Sequence, residues 1–157
     1  MNAYRRKPLA FPWPPLIYGA AIAAAFLLQA HFPLAVAETN IWIARTAGGG
    51  LIVLAIVLDV WAMRTLLDCH TTILPNRCST HLVTSGPYRY TRNPIYLGYT
   101  LTTAGIGLAV LNPWCIVTAI VAAAVTSIVA IKREELHLLS RFGIDFERYC
   151  NGTSRWI

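Results

Sequence analysis

The feature of this sequence that most restricts its fold is a set of long stretches without any charged residue. No Asp, Glu, Lys or Arg occurs from Pro8 to Ala37 or from Ile95 to Ile131. A helix needs about 20 mostly apolar residues to cross the hydrocarbon core of a bilayer, which is about 30 Å thick. Only 13% of the residues are charged, against about 25% in a typical soluble domain. The sequence therefore predicts an all-α integral membrane protein.

Turn signals divide the apolar part of the chain into about four predicted transmembrane helices. The run from Ile95 to Ile131 is too long for one span, and Asn112-Pro113 lies near its middle. Because the residue before a proline is biased away from helix, this run predicts two antiparallel spans joined by a tight turn. The predicted spans are residues 16–36, 46–63, 95–111 and 114–131 of a single membrane domain, residues 1–157.

Proline and charge set the boundaries of the first two predicted spans. The proline-rich segment Phe11–Pro15 is unsuited to a helix interior, so the first span is predicted to begin at Leu16. Pro33 is expected to kink or end that span. The second span is predicted to begin after Arg45 and to end before Arg64, which are taken as parts of polar connections.

Small residues in these spans predict close approach between helices. Gly98, Gly105 and Gly107 on the third span and the alanines around Ala122 on the fourth predict close packing within the hairpin. Gly48-Gly49-Gly50, near the start of the second span, either permits a close helix contact or weakens the helix, and the sequence leaves both readings open.

Asp59 is the only acid inside an apolar run. Acids inside a membrane are costly and often functional. Arg64 lies within two helical turns of Asp59, so the sequence favours an ion pair near the helix end, with a functional role as the alternative.

The basic residues are distributed very unevenly over the predicted connections. In a four-span arrangement the amino terminus, the connection 64–94 and the tail 132–157 share one side, which carries 12 of the 13 Lys and Arg residues, whereas the other side carries only Arg45. The positive-inside rule makes the crowded side the cytoplasm, with both termini there. Basic residues that face anionic lipid account for the net charge of +6. No nucleic-acid partner and no metal site is predicted.

The tail begins as a predicted cytoplasmic amphipathic helix. Leu136, Leu139 and Phe142 recur at helical spacing after the charged sequence Lys132-Arg133-Glu134-Glu135. Gly143 is a natural helix stop.

Two polar segments on the crowded side carry the residues best suited to chemistry. One is the strip, residues 82–98, which contains Tyr88 and Arg92, and the other is the acidic pair, Glu134 and Glu135. Because they flank a predicted hairpin, the two segments are expected to meet. Arginine binds carboxylates with a forked geometry, and aromatic rings surround cations, so this set suits a cofactor that carries an amino acid and a sulfonium. The alternative to a cofactor site is a ring of charged side chains that anchors the helix ends among lipid headgroups.

Three features together resemble the isoprenylcysteine carboxyl methyltransferase and phospholipid methyltransferase superfamily. They are the Arg92-Asn93-Pro94 sequence of the strip, the glycine-rich hairpin and the pair Glu134-Glu135. The resemblance extends from about Thr71 to the end and includes the closing Arg155-Trp156-Ile157. It implies S-adenosylmethionine as the cofactor, bound on the cytosolic side. It implies Arg92, Glu134 and Glu135 as catalytic residues. The implied cofactor-binding residues are Leu82, Val83, Gly86, Pro87, Tyr88, Arg89, Arg92, Asn93, Pro94, Tyr96, Gly98, Glu134 and Glu135.

The resemblance also implies methyl transfer to a lipophilic acceptor that enters from the bilayer, either an isoprenylcysteine-like carboxylate or a lipid headgroup. Arg89 or Arg92 is expected to hold the cofactor carboxylate, a glutamate its ammonium, and Tyr88 and Tyr96 are expected to shape the pocket. Many members of the superfamily have His where this chain has Asn93, and an amide cannot act as a general base. A mechanism that needs an imidazole at that position is therefore not expected here.

Two other functions fit parts of the sequence. Membrane sterol reductases, which use NADPH, share a similar Arg-His-Pro-Tyr segment, and a non-enzymatic membrane subunit would need no cofactor. Bacteria commonly carry members of the superfamily, so a bacterial inner membrane is the expected location. The acceptor and the oligomeric state are left open.

Overall fold

A computed structural model of the chain describes residues 13–34, 41–69 and 82–157. Within them the structure is helical, and it contains no strand apart from one isolated bridge between Thr91 and Ser154. The helices are α1 (Trp13–His31), α2 (Ile41–Asp68), α3 (Pro94–Ala109), α4 (Trp114–Thr126), α5 (Lys132–Phe142) and α6 (Ile144–Gly152). The all-α prediction is confirmed for these residues. Arg5, Arg6, Lys7 and Arg77, which contribute to the predicted charge bias, lie outside them.

Three helices of the described residues are long and apolar enough to cross a membrane. They are α1, α2 and the continuous helix Trp114–Phe142, which comprises α4, α5 and the residues between them. Large apolar side chains of α2, such as Val53 and Ile56, are exposed on the outside of the bundle, where lipid rather than water is the suitable solvent. The chain is therefore an integral membrane protein. Because α3 has 16 residues, it is only about 24 Å long, so the fourth span stays a prediction.

The first two helices differ from their predicted bounds, because α1 begins three residues earlier and ends before residue 36, whereas α2 is longer at both ends. α1 begins at Trp13 because Pro14 and Pro15 lie in its first turn, where no intrahelical N–H bond is lost. It ends at His31, before Pro33. α2 extends five residues beyond each end of the predicted span, from Ile41 to Asp68. Its arginines are exposed and do not end the helix, because a long cationic side chain can keep its charge in water while its stem packs on the helix.

The predicted turn at Asn112-Pro113 is confirmed. The buried Asn112 side chain accepts a hydrogen bond from the backbone N–H of Trp114 at 3.1 Å and donates one to the Ala25 carbonyl of α1 at 3.1 Å. Leu111 has a φ of 59°, the left-handed conformation that closes the turn. A buried amide with both ends bonded ties the turn to α1.

The four long helices run antiparallel, with α3 between α2 and α4 and with α1 against α4. The start of α1 lies beside the start of α3, where the hydroxyls of Tyr18 and Thr100 are 2.6 Å apart. The end of α2 lies beside the strip, where Thr65 faces Gly86. The strip, the end of α2 and the end of the α4 helix therefore share one end of the bundle, opposite the Asn112 turn.

The glycines pack differently from the prediction. Gly107 does face α4, because a Cβ there would lie 2.6 Å from the Cβ of Cys115. Gly98 and Gly105, however, face α2 rather than the hairpin partner. On α2, a Cβ at Gly48 would lie 2.5 Å from the Ala109 nitrogen, whereas Gly49 and Gly50 face open space. The closest helix contact made by glycine is therefore between α2 and α3.

The predicted tail helix is α5, and it continues α4 without a break. A π-helical segment, Ser127–Ile131, joins the two helices. Gly143 ends α5 with a φ of 53°, as predicted. A second short helix, α6, follows, and its Phe146 is buried. The cytoplasmic location of this part stays a prediction.

Candidate functional site

The strip and the acidic pair meet at one end of the bundle, as the sequence predicts. Tyr96, in the first turn of α3, donates a hydrogen bond from its hydroxyl to Oε1 of Glu134 at 2.6 Å. Nη2 of Arg92 lies 3.3 Å from Oε1 of Glu135. Both glutamates lie in the first turn of α5. Two residues of the strip thus contact the two acids directly.

The π-helical segment helps to set the direction of these glutamates. A π turn holds one residue more than an α turn, so it rotates everything that follows about the helix axis, and such segments are frequent at functional sites. Ser127, its first residue, accepts a hydrogen bond from the indole N–H of Trp156 at 3.2 Å. Nothing in the apolar sequence of this region predicts a π turn.

The strip is fixed against the end of α2 by a tight turn, Gly86–Arg89. Gly86 has a φ of +60°, and a Cβ there would lie 2.6 Å from Oγ1 of Thr65, so both its conformation and its surroundings favour glycine. The carbonyl of the buried Pro87 accepts hydrogen bonds from the N–H groups of Tyr90 and Thr91 at 3.1 and 3.2 Å. This turn fixes the backbone that leads to Arg92.

Arg92 is the least satisfied cation of the site. Its side chain is 14% exposed, and its only ion-pair partner within the described residues is Glu135. Its Nε is buried and has no hydrogen-bond partner there. A buried donor without a partner costs about 1–3 kcal/mol, so an anionic group that bonds to it would be stabilised. Arg89, the alternative named from the sequence, is exposed.

Glu135 has a second and closer partner that sequence reasoning missed. Arg155 donates from Nε to Oε1 of Glu135 at 3.0 Å and from Nη2 to Oε2 at 2.6 Å. This is the forked geometry that makes arginine–carboxylate pairs strong. The sequence indicated Arg155 only through the resemblance of the closing tail, and no local pattern links two residues 20 positions apart.

Two further tyrosines of the site, Tyr88 and Tyr149, are neutral phenols. Burial raises the pKa of Tyr88 well above its usual value, and nearby Tyr149 and Glu134 raise it further. Burial likewise raises the pKa of Tyr149, whose hydroxyl donates to the Tyr88 carbonyl at 2.6 Å. Neither residue supplies a phenolate base at neutral pH, so their contribution is shape, aromatic surface and hydrogen bonding.

The other residues implied by the resemblance form the backbone and packing of the strip. Asn93 donates from its side-chain amide to the Arg155 carbonyl at 2.9 Å. Leu82 is half-buried, and the following are buried: Val83, Pro87, Pro94 and Gly98. These buried residues hold the strip against the bundle rather than display polar groups.

Asp59 is not paired with Arg64, and that prediction is wrong. The ion pairs among the described residues are those of Glu135 with Arg92 and Arg155. Residues five positions apart project from different sides of a helix, which explains the missing pair. The Asp59 carboxylate instead lies against Gly98 of α3, and its buried Oδ1 has no hydrogen-bond partner in the described part of the chain.

A cavity of about 510 Å³ lies between α5 and α6. Its lining mixes apolar and charged side chains: Lys132, Glu135, Leu136, Leu139, Phe146, Glu147, Cys150 and Asn151. Glu135 thus contacts both this cavity and the two arginines. Within the described residues no cluster of His, Cys, Asp and Glu is arranged to hold a metal ion.

Comparison with known proteins gives one family match. A family model described as phospholipid methyltransferase matches residues 43–145, which is 103 of the 157 residues. The matched range includes all but the first two residues of α2, the strip and the acidic pair, whereas Arg155 lies beyond it. No curated protein and no solved structure matches the chain.

Proposed function

The chain belongs to the phospholipid methyltransferase family, and from that membership we propose that it transfers a methyl group from S-adenosylmethionine to a lipophilic acceptor. The family is one of methyltransferases that act on lipid-like substrates, which favours this function over a sterol-type reductase or a non-enzymatic subunit. The observation that carries the proposal is the contact of the strip with the acidic pair, through Tyr96 with Glu134 and Arg92 with Glu135.

The charges at this contact fit the amino-acid part of S-adenosylmethionine. Its carboxylate needs a forked cation, and Arg92 has a buried Nε without a partner among the described residues. Its ammonium needs an anion, and Glu134 forms no ion pair with any described cation. Glu135 is already engaged by two arginines, so we assign the ammonium to Glu134 and the carboxylate to Arg92.

The remaining residues would orient and shield the reacting groups. S-adenosylmethionine, when bound, supplies a methyl group made electrophilic by its positive sulfur. Tyr88 and Tyr96 offer aromatic and hydroxyl surfaces next to the acidic pair, and aromatic faces attract cations. Correct placement of two reactants is worth about 7–11 kcal/mol of a reaction barrier. The protein therefore acts mainly by positioning, with Arg92, Glu134 and Tyr96 as the residues that touch the cofactor.

We place this site at the cytoplasmic surface of a single membrane domain with α3 as a fourth span. The distribution of charge supports this, since an even number of spans would put most Lys and Arg residues on one side. The end of the bundle that carries the strip also carries α5 with its charged first turn. The acceptor would approach sideways from the lipid, because the outer faces of α1 and α2 are apolar and exposed.

The proposal predicts methyl transfer to lipid by the purified protein. Protein in detergent would be incubated with methyl-labelled S-adenosylmethionine and extracted membrane lipids, and the label would be followed into the organic phase. We expect transfer that requires the protein and stops when S-adenosylhomocysteine is added, together with saturable binding of about one labelled molecule per chain.

Two results would contradict the function. The first is absence of both saturable S-adenosylmethionine binding and methyl transfer. The second is saturable binding of NADPH without binding of S-adenosylmethionine, which would favour the reductase. A heat-denatured sample is the control for nonspecific retention of the label by detergent.

A further inference from the structure

We propose that the segment 153–156 is a third wall of the site, in which Arg155 is a positioning residue that orients Arg92 through Glu135. Asn93 in turn holds the backbone of Arg155. This inference rests on the proposed function, because the group that Arg92 would bind is the carboxylate of S-adenosylmethionine. It assigns a role to residues beyond the part of the chain that the family model matches.

The segment is bound to the strip residue by residue. Thr91 and Ser154 form a parallel bridge, and the N–H of Arg92 donates to the Ser154 carbonyl at 3.0 Å. The next carbonyl, that of Arg155, accepts from the Asn93 amide at 2.9 Å and from the Thr91 hydroxyl at 3.3 Å. Two donors on one carbonyl fix the point from which the Arg155 side chain starts.

The next residue fixes the segment from its other side. The indole N–H of Trp156 donates to the Ser127 hydroxyl, in the π-helical segment that leads to the acidic pair. The segment is therefore held both by the strip and by the α4 helix. A chain bound at both sides of Arg155 fixes the backbone from which its side chain reaches Glu135.

The guanidinium of Arg155 donates hydrogen bonds to both oxygens of Glu135, and Arg92 forms an ion pair with one of these oxygens. The bonds from Arg155 are 3.0 and 2.6 Å long, whereas Nη2 of Arg92 is 3.3 Å from Oε1. Glu135 is thus oriented mainly by Arg155, and Arg92 is oriented by Glu135. Two cations around one carboxylate leave a net positive charge, which suits an incoming anion and disfavours an incoming ammonium.

The same geometry gives a role to Asn93 that needs no base. Its side chain acts as an N–H donor to a carbonyl. A neutral imidazole also carries one N–H donor. Either an asparagine or a histidine can therefore hold the Arg155 carbonyl. In this role the residue only donates a hydrogen bond and transfers no proton.

The test measures S-adenosylmethionine binding, by equilibrium dialysis of the full chain in detergent, for variants of Arg155 and Asn93, for a matched control, and for Glu135→Gln alone and combined with Arg155→Gln. Arg155→Gln removes the charge, and Arg155→Lys keeps the charge but loses the fork. Asn93→Leu removes the donor at similar size, and Asn93→His restores one. Arg148→Gln is the matched control, because Arg148 is an exposed cation on α6 that forms no ion pair with any described acid.

We expect Arg155→Gln to weaken binding about tenfold or more and Arg155→Lys to weaken it less. Asn93→Leu should weaken binding and Asn93→His should restore it, while Arg148→Gln should change it less than about twofold. Glu135→Gln combined with Arg155→Gln should be no weaker than Glu135→Gln alone, because residues that act in one chain are not additive. The melting temperature without cofactor is measured in parallel.

Three outcomes would overturn the inference. Binding unchanged in Arg155→Gln would show that the segment is only a packing element. Additive losses in the double variant would show that Arg155 does not act through Glu135. A large fall in melting temperature in both Arg155→Gln and Arg155→Lys would show that the ion pair of Arg155 with Glu135 stabilises the fold rather than the site. If the wild-type chain binds no S-adenosylmethionine, the proposed function itself fails, which separates the two failures.

Discussion

Replacing Arg92 by glutamine is expected to weaken S-adenosylmethionine binding by about a hundredfold. A hydrogen bond to a charged group contributes about 1.5–3 kcal/mol, and each 1.4 kcal/mol is about a tenfold change in affinity. The Arg92 side chain is only 14% exposed, so solvent screens its interaction with an anion less than at the surface. The measurement is equilibrium dialysis of the labelled cofactor against purified variants in detergent.

Arg89→Gln is the matched control for Arg92→Gln. Arg89 lies on the same strip and carries the same charge, but it is exposed at the end of the Gly86–Arg89 turn. Its replacement should change the affinity less than about threefold, because exposed charges interact weakly through water. Equal losses in the two variants would mean that a general basic surface, rather than Arg92, attracts the cofactor.

Replacing Glu134 by glutamine is expected to reduce methyl transfer by about a hundredfold. The amide is close in size and can still accept the hydrogen bond that Tyr96 donates at 2.6 Å, but it carries no charge for an ammonium. Tyr96→Phe makes the opposite change, since it keeps the charge and removes the hydrogen bond. We expect about a tenfold loss for Tyr96→Phe, in line with one hydrogen bond to a charged group.

The relative size of the losses in Glu134→Gln and Tyr96→Phe distinguishes cofactor binding from structural support. If Glu134 binds the ammonium, Glu134→Gln is the more damaging change. If Glu134 only anchors α3 to α5, Tyr96→Phe should be at least as damaging, and Glu134→Gln should retain nearly normal transfer. Glu147→Gln, which removes an exposed acid of α6, controls for the loss of one negative charge near the site.

The main spatial relation of the site could be predicted from the sequence because it depends on the hairpin turn. An uncharged run too long for one span, divided by Asn112-Pro113, requires two antiparallel helices whose outer ends are neighbours. The contacts of Tyr96 with Glu134 and Arg92 with Glu135 follow from that arrangement. Here, apolar length and one turn signal were sufficient.

Other features depend on contacts that no local pattern encodes. Gly98 and Gly105 pack on α2, because α3 lies between α2 and α4, and the order of helices around a bundle is not written in hydropathy. The continuous α4–α5 helix arises because charged residues can follow an apolar run without ending the helix. Asp59 does not pair with Arg64, because contact along a helix depends on the angle between side chains as well as on their separation in sequence.

The role of Arg155 shows the same limit at the site itself. Its contact with Glu135 depends on α6 and on the bridge between Thr91 and Ser154, which together return the chain to the strip. The family model ends at residue 145 and so does not include it. Only the three-dimensional structure joins this part of the tail to the acidic pair.

Direct ultraviolet cross-linking of methyl-labelled S-adenosylmethionine to the protein in membranes, followed by mapping of the labelled peptides, tests the central claim. One donor molecule held between the start of α3 and the start of α5 should label peptides from residues 82–98 and 132–142, and excess S-adenosylhomocysteine should abolish both signals. Labelling confined to the turn at Asn112 and to the part of α1 around Ala25 that it contacts, at the opposite end of the bundle, would contradict it.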